Sequence, residues 1–159
     1  MIIPFTRSTE MKMAYSEQDI IDIINYHSLL NNGNYVKSKD QYQHYDAENT
    51  DSILEIKIRS KKYDYQIIER YKYLRNLEES KKSNREFWYV VNYETNLSVW
   101  NINNLNDTGY KFNWHVRDLV KTSKFEDQEP IPKIVGYLDP RRAAHLNFKS
   151  WPKKIKNFF

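Results

Sequence analysis

Hydrophobic and polar residues alternate most regularly over residues 52–59. The apolar side chains of this segment are interleaved with charged ones, in the order Leu54, Glu55, Ile56, Lys57, Ile58 and Arg59. Because successive side chains of a strand point to opposite faces, this period of two predicts a half-buried β-strand. Glu55 and Lys57 then lie side by side on its polar face.

Other segments follow helical or strand patterns. Apolar spacings of three and four residues predict helices over residues 16–32, 64–80 and 112–121. Ser16 and Asp64 are the expected N-caps of the first two helices. β-Branched and aromatic runs predict strands over residues 35–36, 41–47, 87–93, 97–102 and 134–138. Polar loops are expected over residues 81–85 and 103–109, and the prolines at 130 and 132 are expected to break regular structure.

This order of elements predicts an α/β fold with a mixed central β-sheet flanked by helices. The 159 residues suit a single domain over residues 1–159, with a core at about 16–120 and a basic C-terminal segment at 133–159. The absence of cysteine excludes disulfides, thiolate zinc sites and cysteine nucleophiles. The four histidines show no metal-ligand spacing.

Hydropathy predicts a soluble, cytoplasmic protein. No apolar run approaches the roughly 20 residues of a membrane helix, and the N-terminus has no signal-peptide core. Frequent Asn, Lys, Ile and Tyr indicate an AT-rich coding sequence, which is common in phage and mobile-element genes.

Positive charge is concentrated near the C-terminus. The chain carries +4 overall, and residues 133–159 contain seven basic residues and one acid, a net charge of +6. Such a segment either binds phosphates or is a solvated terminus. The candidate DNA-binding residues are Arg59, Lys61, Lys62, Arg141, Arg142, Lys149, Lys153, Lys154 and Lys156.

A second carboxylate is expected to approach the polar face of the 52–59 strand. Asp46 ends the preceding predicted strand, so hairpin pairing would bring it toward Glu55. Two converging carboxylates are costly unless a cation neutralises them, and oxygen ligands of this kind suit Mg²⁺ with several retained waters. A neighbouring lysine, Lys57, can orient or deprotonate water and stabilise charge on a phosphate.

This arrangement, Asp46 followed by Glu55-Ile56-Lys57, resembles the Asp…Glu-x-Lys signature of the PD-(D/E)xK nuclease superfamily. Members share a restriction-endonuclease-like core, with the signature on a hairpin that follows an initial helix. The resemblance implies that Asp46 and Glu55 bind Mg²⁺, with Mn²⁺ as a substitute, and that Lys57 assists the attacking water. Many members add an acid from the first helix; Glu17 is the candidate here, with Glu10 and Asp22 as rivals.

The resemblance favours an endonuclease of the small phage or intron-encoded homing or restriction type. The residue before Asp46 is Tyr45 instead of proline, and four residues separate Gln66 from Tyr71 where RecB-like exonucleases have three. A double-stranded DNA substrate then implies a homodimer or higher symmetric oligomer, because each strand needs its own site. The alternatives are a non-enzymatic nucleic-acid-binding or phage–host interaction protein, and an RNA- or structure-specific nuclease with the same site.

Overall fold

The computed structural model of the protein describes residues 15–39, 44–119 and 129–149. Within these ranges the helices are α1 (Glu17–Tyr26), α2 (Leu29–Asn32), α3 (Arg70–Ser83) and α4 (Ile102–Asp107). The strands are β1 (Val36–Lys37), β2 (Ala47–Glu48), β3 (Ser52–Arg59), β4 (Gln66–Glu69), β5 (Glu86–Tyr93), β6 (Asn96–Asn101), β7 (His115–Leu119), β8 (Ile131–Leu138) and β9 (Ala144–Asn147). No helix in these ranges is long and apolar enough to cross a membrane.

The strands form two sheets. The larger has the order β1-β2-β3-β5-β6-β9 and is mixed, because β3 and β5 run parallel while the other neighbours are antiparallel. The smaller is antiparallel, with the order β4-β8-β7. Tyr89 Oη donates to the carbonyl of Ile67 at 2.8 Å and Trp100 Nε1 to that of Asp139 at 2.8 Å, so both bonds join the second sheet to the first. The prediction of an α/β fold with a mixed sheet and helices is confirmed.

Strand β3 has the predicted bounds, but it is buried on both faces instead of one. Leu54 and Ile56 pack in a core with the isoleucines of α1, whereas Ile53 packs in a second core with Tyr73 and Leu77 of α3. The strand lies between β2 and β5 with a helix on each side. Alternate side chains of β3 therefore point into two different cores. The face that was expected to be solvated carries Glu55, which is buried.

The first helix begins as predicted and ends early. The Ser16 side chain accepts a hydrogen bond from the Asp19 N–H while the Asp19 side chain accepts from Ser16, a complete capping box. Helix α1 stops at Tyr26, and Ser28 has a left-handed backbone with φ of 51°. The predicted 16–32 helix is thus two helices, α1 and the single turn of α2.

The predicted 64–80 helix was wrong in its first part. Residues 66–69 form β4, which pairs antiparallel with the end of β8, and α3 begins only at Arg70. The adjacent β-branched residues Ile67 and Ile68 suit a strand, and a sheet partner far along the chain overrides the helical spacing. The helix also continues to Ser83, into the predicted 81–85 loop.

Three further predictions need correction. The predicted 103–109 loop contains α4, in which the Asn101 side chain caps the Asn104 N–H. The predicted 112–121 helix contains the strand β7, whose partner is β8. Of the predicted 41–47 strand, residues 41–43 lie outside the described residues, and regular pairing in the described part begins at Ala47.

The C-terminal segment is part of the fold. Strand β8 includes Pro132, which is tolerated because β4 pairs only with residues 135–138 and leaves that end of β8 with β7 alone. A 3₁₀ turn at Pro140–Arg142 leads to β9 at the edge of the large sheet. Phe148 follows β9 and is buried against the core that contains α1. The described part of the basic C-terminal segment, residues 133–149, therefore takes part in both sheets and in the core that contains α1.

We expect Phe148→Ala to lower the free energy of unfolding by about 3–5 kcal/mol, because it removes a buried ring from that core. Ile134→Ala is the control in the same segment, since Ile134 is 44% exposed; it should cost less than about 1 kcal/mol. Urea titrations measure both. If both variants lowered the free energy of unfolding equally, the burial of Phe148 in the core would be contradicted.

Candidate functional site

A buried carboxylate, that of Glu55, lies on the α3 side of β3. The residue is 1% exposed. Its Oε2 lies 2.9 Å from Nζ of Lys57 and 3.5 Å from Nζ of Lys72, while its Oε1 has no hydrogen-bond partner among the described residues. Burial of a carboxylate is costly unless it is paired. Glu55 is thus half satisfied, by two lysines on one oxygen only.

Asp46 lies next to Glu55 at the edge of β3. Its N–H donates to the carbonyl of Leu54 at 2.7 Å, and its Oδ2 accepts from the N–H of Ile56 at 2.7 Å. Burial, then the charge of Glu55 and more weakly that of Glu17, raise the pKa of Asp46 to about 7, against the lowering effect of the Ile56 hydrogen bond. The hairpin therefore brings the two carboxylates together, as the sequence predicts.

The segment that carries Asp46 is anchored to α3. The carbonyl of His44 accepts from Asn76 Nδ2 at 2.8 Å and from Lys72 Nζ at 3.5 Å. Tyr45, where the superfamily pattern has proline, is buried, and the Arg85 guanidinium lies 5.7 Å from its ring centroid. These contacts fix the position of Asp46 without a proline before it.

Lys57 is held as an ammonium. Burial alone lowers its pKa, but the charge of Glu55, with smaller contributions from Tyr89 and Asp46, outweighs burial, so the pKa of Lys57 is raised above its ordinary value. A lysine in this state donates hydrogen bonds and supplies positive charge. It is a poor proton acceptor at neutral pH.

Glu17, the first candidate for an additional acid, lies near this group. It lines the same cleft as Lys57, its charge contributes to the raised pKa of Asp46, and its Oε1 lies 3.9 Å from Nζ of Lys37. Asp22 instead accepts a hydrogen bond from Gln18. Glu10 lies outside the described residues.

Lys57, Lys72 and Glu17 line a cleft of about 640 Å³, whereas Asp46 and Glu55 lie behind these residues and do not line it. One wall is formed by β3 and α3, and the other by the second sheet and the loop that precedes it. The cleft is lined by two acids, Glu17 and Glu69, and by five basic residues, which are Lys57, Arg59, Lys72, Arg117 and Lys133. A cleft with this excess of cations attracts a polyanion to Lys57 and Lys72, the two lysines that pair with Glu55.

The predicted DNA-binding residues lie in different places. Arg59 lines the cleft, and Lys61 and Lys62 are exposed in the loop after β3. Arg141 is paired with Asp139 at 2.8 Å, Arg142 lies over the ring of Tyr110, and Lys149 is exposed. Lys153, Lys154 and Lys156 lie outside the described residues. Of the described candidates, only Arg59 lines the cleft itself.

Sequence reasoning missed three of the basic residues of the cleft, Lys72, Arg117 and Lys133. Lys72 contacts Glu55 because α3 begins at Arg70, two residues before it, and that helix start was mispredicted. Arg117 and Lys133 are opposite each other in the β7–β8 register, and Lys133 reaches Glu69 at 3.1 Å. Local sequence patterns do not show that β7 pairs with β8, so the positions of Arg117 and Lys133 could not be predicted.

The residues fit a divalent cation with few protein ligands. In the described ranges, no three His, Cys, Asp or Glu side chains converge to hold a metal ion by themselves. Mg²⁺, however, needs only one or two carboxylates and keeps several waters. Asp46 and Glu55 supply those two, with Glu55 Oε1 unpartnered. The N–H and C=O of a strand residue point to the same side, so the Ile56 carbonyl faces Asp46 as well.

In comparisons with known proteins, neither a family model nor a curated protein matches this sequence.

We expect the stability of the metal-free protein to fall as the pH rises from 5 to 8. The pKa of Asp46 is 3.8 in its ordinary state and about 7 here. Between these values the folded chain holds a proton that the unfolded chain has lost, so folding is favoured at low pH and this advantage disappears above pH 7. Between pH 5 and 8 the titration of Asp46 should lower the free energy of unfolding by on the order of 3 kcal/mol.

Asp46→Asn is the matched variant, because it cannot titrate and other titrating groups are unchanged. Urea unfolding in EDTA at several pH values should give a smaller decline for Asp46→Asn than for the parent. Parallel profiles would contradict the placement of Asp46 beside Glu55.

Proposed function

We propose that this protein is a Mg²⁺-dependent nuclease that hydrolyses DNA phosphodiester bonds as an endonuclease. The observation that carries the proposal is the unpartnered, buried oxygen of Glu55 beside Asp46 and Lys57, the last of which lines a cleft rich in cations. The helix, hairpin and signature order of the PD-(D/E)xK nuclease superfamily supports it. A restriction-endonuclease-like core is accordingly part of the proposal.

Asp46 and Glu55 would hold Mg²⁺ or, in its place, Mn²⁺. The bound ion supplies Lewis-acid polarisation of the scissile phosphate and neutralises charge that develops on its oxygens. Glu55 offers the oxygen that its two lysines leave free. Asp46, held by the Ile56 N–H, must lose its proton before it acts as a ligand, which favours neutral to alkaline pH.

Lys57 positions the attacking water and stabilises negative charge. Its raised pKa keeps it protonated, so it donates hydrogen bonds to the water or to a phosphate oxygen and does not remove a proton. Lys72 adds a second positive charge at the same oxygen of Glu55. Glu17, at the margin of the cleft, is placed to orient water near Asp46.

Cleavage of both strands of duplex DNA requires two such sites, so we include a homodimer or higher symmetric oligomer in the proposal. The exposed Lys61, Lys62 and Lys149 are then candidates for contacts with backbone phosphates outside the cleft. An intracellular enzyme encoded by a phage or mobile element fits this activity.

A non-enzymatic nucleic-acid-binding protein is the second candidate. The observation that favours it is the ion cluster itself: Lys57 and Lys72 already neutralise Glu55, as in buried ion networks with a purely structural role. This alternative predicts salt-sensitive binding without metal-dependent turnover.

We expect the protein to cut supercoiled plasmid and single-stranded circular DNA with Mg²⁺ or Mn²⁺ and to leave both intact in EDTA. Glu55→Gln and Asp46→Asn should each lower the cleavage rate by at least about 100-fold, because each removes a carboxylate of the proposed metal site. Gel assays of both substrates measure this. Circular dichroism and DNA binding in EDTA verify that the variants are folded.

Glu78→Gln is the matched control, an acid-to-amide change at an exposed position of α3 outside the cleft. It should cleave at the parental rate. Full activity of Asp46→Asn and Glu55→Gln, or salt-sensitive binding by the parent with no cleavage in either metal, would overturn the enzymatic proposal.

A further inference from the structure

Two exposed tyrosines line the cleft beside its cations. Tyr63 is 47% and Tyr65 49% exposed, and both belong to the loop that joins β3 to β4. The ring of Tyr65 contacts that of Tyr137 in an edge-to-face arrangement, with centroids 6.3 Å apart. Exposed tyrosines occur elsewhere on this surface, Tyr26 among them. Tyr63 and Tyr65 differ in lying beside the cations of one cleft, where their ring faces can stack on an aromatic group of a ligand.

The cations around these rings are suited to phosphates. Arg117 Nη1 donates to the hydroxyl of Tyr137 at 3.2 Å, which holds a guanidinium next to the aromatic group. Arg59 also lines the cleft, and its Nε is buried with no hydrogen-bond partner among the described residues. A guanidinium nitrogen buried without a partner is costly, so the Arg59 side chain gains a hydrogen bond when it turns toward an anionic oxygen in the cleft.

The depth of the acid cluster limits what can reach it. Glu55 is 1% exposed and does not itself line the cleft, so a scissile phosphate has to come against Lys57 and Lys72 in the cleft wall to approach its carboxylate. A flexible single strand can follow such a cleft, whereas a duplex presents two backbones on a stiff, wide rod. In a duplex the base faces are also stacked on one another and offer no surface to a tyrosine ring.

We propose that the cleft binds an unpaired DNA strand, with its phosphates on Arg59, Arg117 and Lys133 and its bases stacked on Tyr63 and Tyr65. Alternation of cations with exposed rings is the chemistry by which proteins bind single strands without sequence preference. This inference deepens the proposed function, because it makes an unpaired segment, such as a flap, gap or melted region, the part of the DNA that is cut.

Single-strand binding is tested in the absence of metal. Its outcome is therefore independent of the cleavage assay, which needs Mg²⁺ or Mn²⁺. Fluorescence anisotropy in EDTA would compare a labelled oligo-dT of about 20 nucleotides with the corresponding dA·dT duplex on the full chain. We expect the single strand to bind at least tenfold more tightly. If the protein binds in this way but never cleaves, the nuclease proposal fails while this inference stands.

Tyr63→Ala and Tyr65→Ala should each weaken single-strand binding by roughly tenfold and leave duplex binding nearly unchanged. Tyr65→Phe should restore it, since stacking needs the ring and not the hydroxyl. Tyr26→Ala is the control: Tyr26 is 53% exposed at the opposite end of α1 from Glu17 and does not line the cleft. It should bind like the parent.

Three results would overturn the inference. One is duplex binding as tight as single-strand binding. Another is parental affinity in the Tyr63→Ala, Tyr65→Ala double variant, with folding verified by its thermal unfolding. The third is loss of affinity in Tyr65→Phe as large as in Tyr65→Ala, which would assign binding to the hydroxyl.

Discussion

The Glu55 carboxylate determines how this molecule is arranged. A charge buried to 1% exposure in a central strand has to be compensated, and the protein does so with Lys57 from the same strand and Lys72 from α3. Both lysines approach the same oxygen. The other oxygen is left unpartnered, beside an Asp46 whose proton is retained up to about pH 7. Such an arrangement is costly for a protein that needs only stability, because apolar residues would fill the space at lower cost. It is understandable in a site that receives a cation.

The second sheet gives this carboxylate its surroundings. Bonds from Tyr89 to Ile67 and from Trp100 to Asp139 hold the β4-β8-β7 sheet against the first sheet and leave a cleft between them. The smaller sheet brings Arg117 and Lys133 across from Lys57. Strands more than 50 residues apart along the chain, such as β3 and β7, thereby supply opposite walls of one cleft. The packing of the small sheet against the large one therefore forms the cleft and also supplies part of its positive charge.

The acid and lysine cluster was predictable from sequence because its geometry is local. Glu55 and Lys57 share a face through the period of a strand, and Asp46 reaches them through a short hairpin, so spacing alone indicated their approach. Glu17 followed from helical spacing after a recognisable Ser16 cap. The burial of Glu55 was not predictable, because a strand with alternating charges looks half-solvated until both covering helices are known.

The remaining errors share one cause. Ile67 and Ile68 fit a helical stripe as well as a buried strand, and only pairing with β8, some 70 residues later, decides between them. A second pairing of β8, with β7, places Pro132 inside a strand and gives Arg117 and Lys133 their positions in the cleft. Phe148 lies in the basic C-terminal segment, and its local sequence does not show its burial, which depends on β9 joining the sheet edge. Long-range contacts of this kind leave little trace in local patterns.

The most direct test of the central claim is a crystal structure of the protein soaked in Mn²⁺, with diffraction data collected for anomalous scattering. The account predicts a peak at coordination distance, about 2.1 Å, from carboxylate oxygens of both Asp46 and Glu55. An anomalous map with no peak there, and the Lys57–Glu55 and Lys72–Glu55 pairs unchanged, would contradict it and show that the cluster is a self-sufficient ion network.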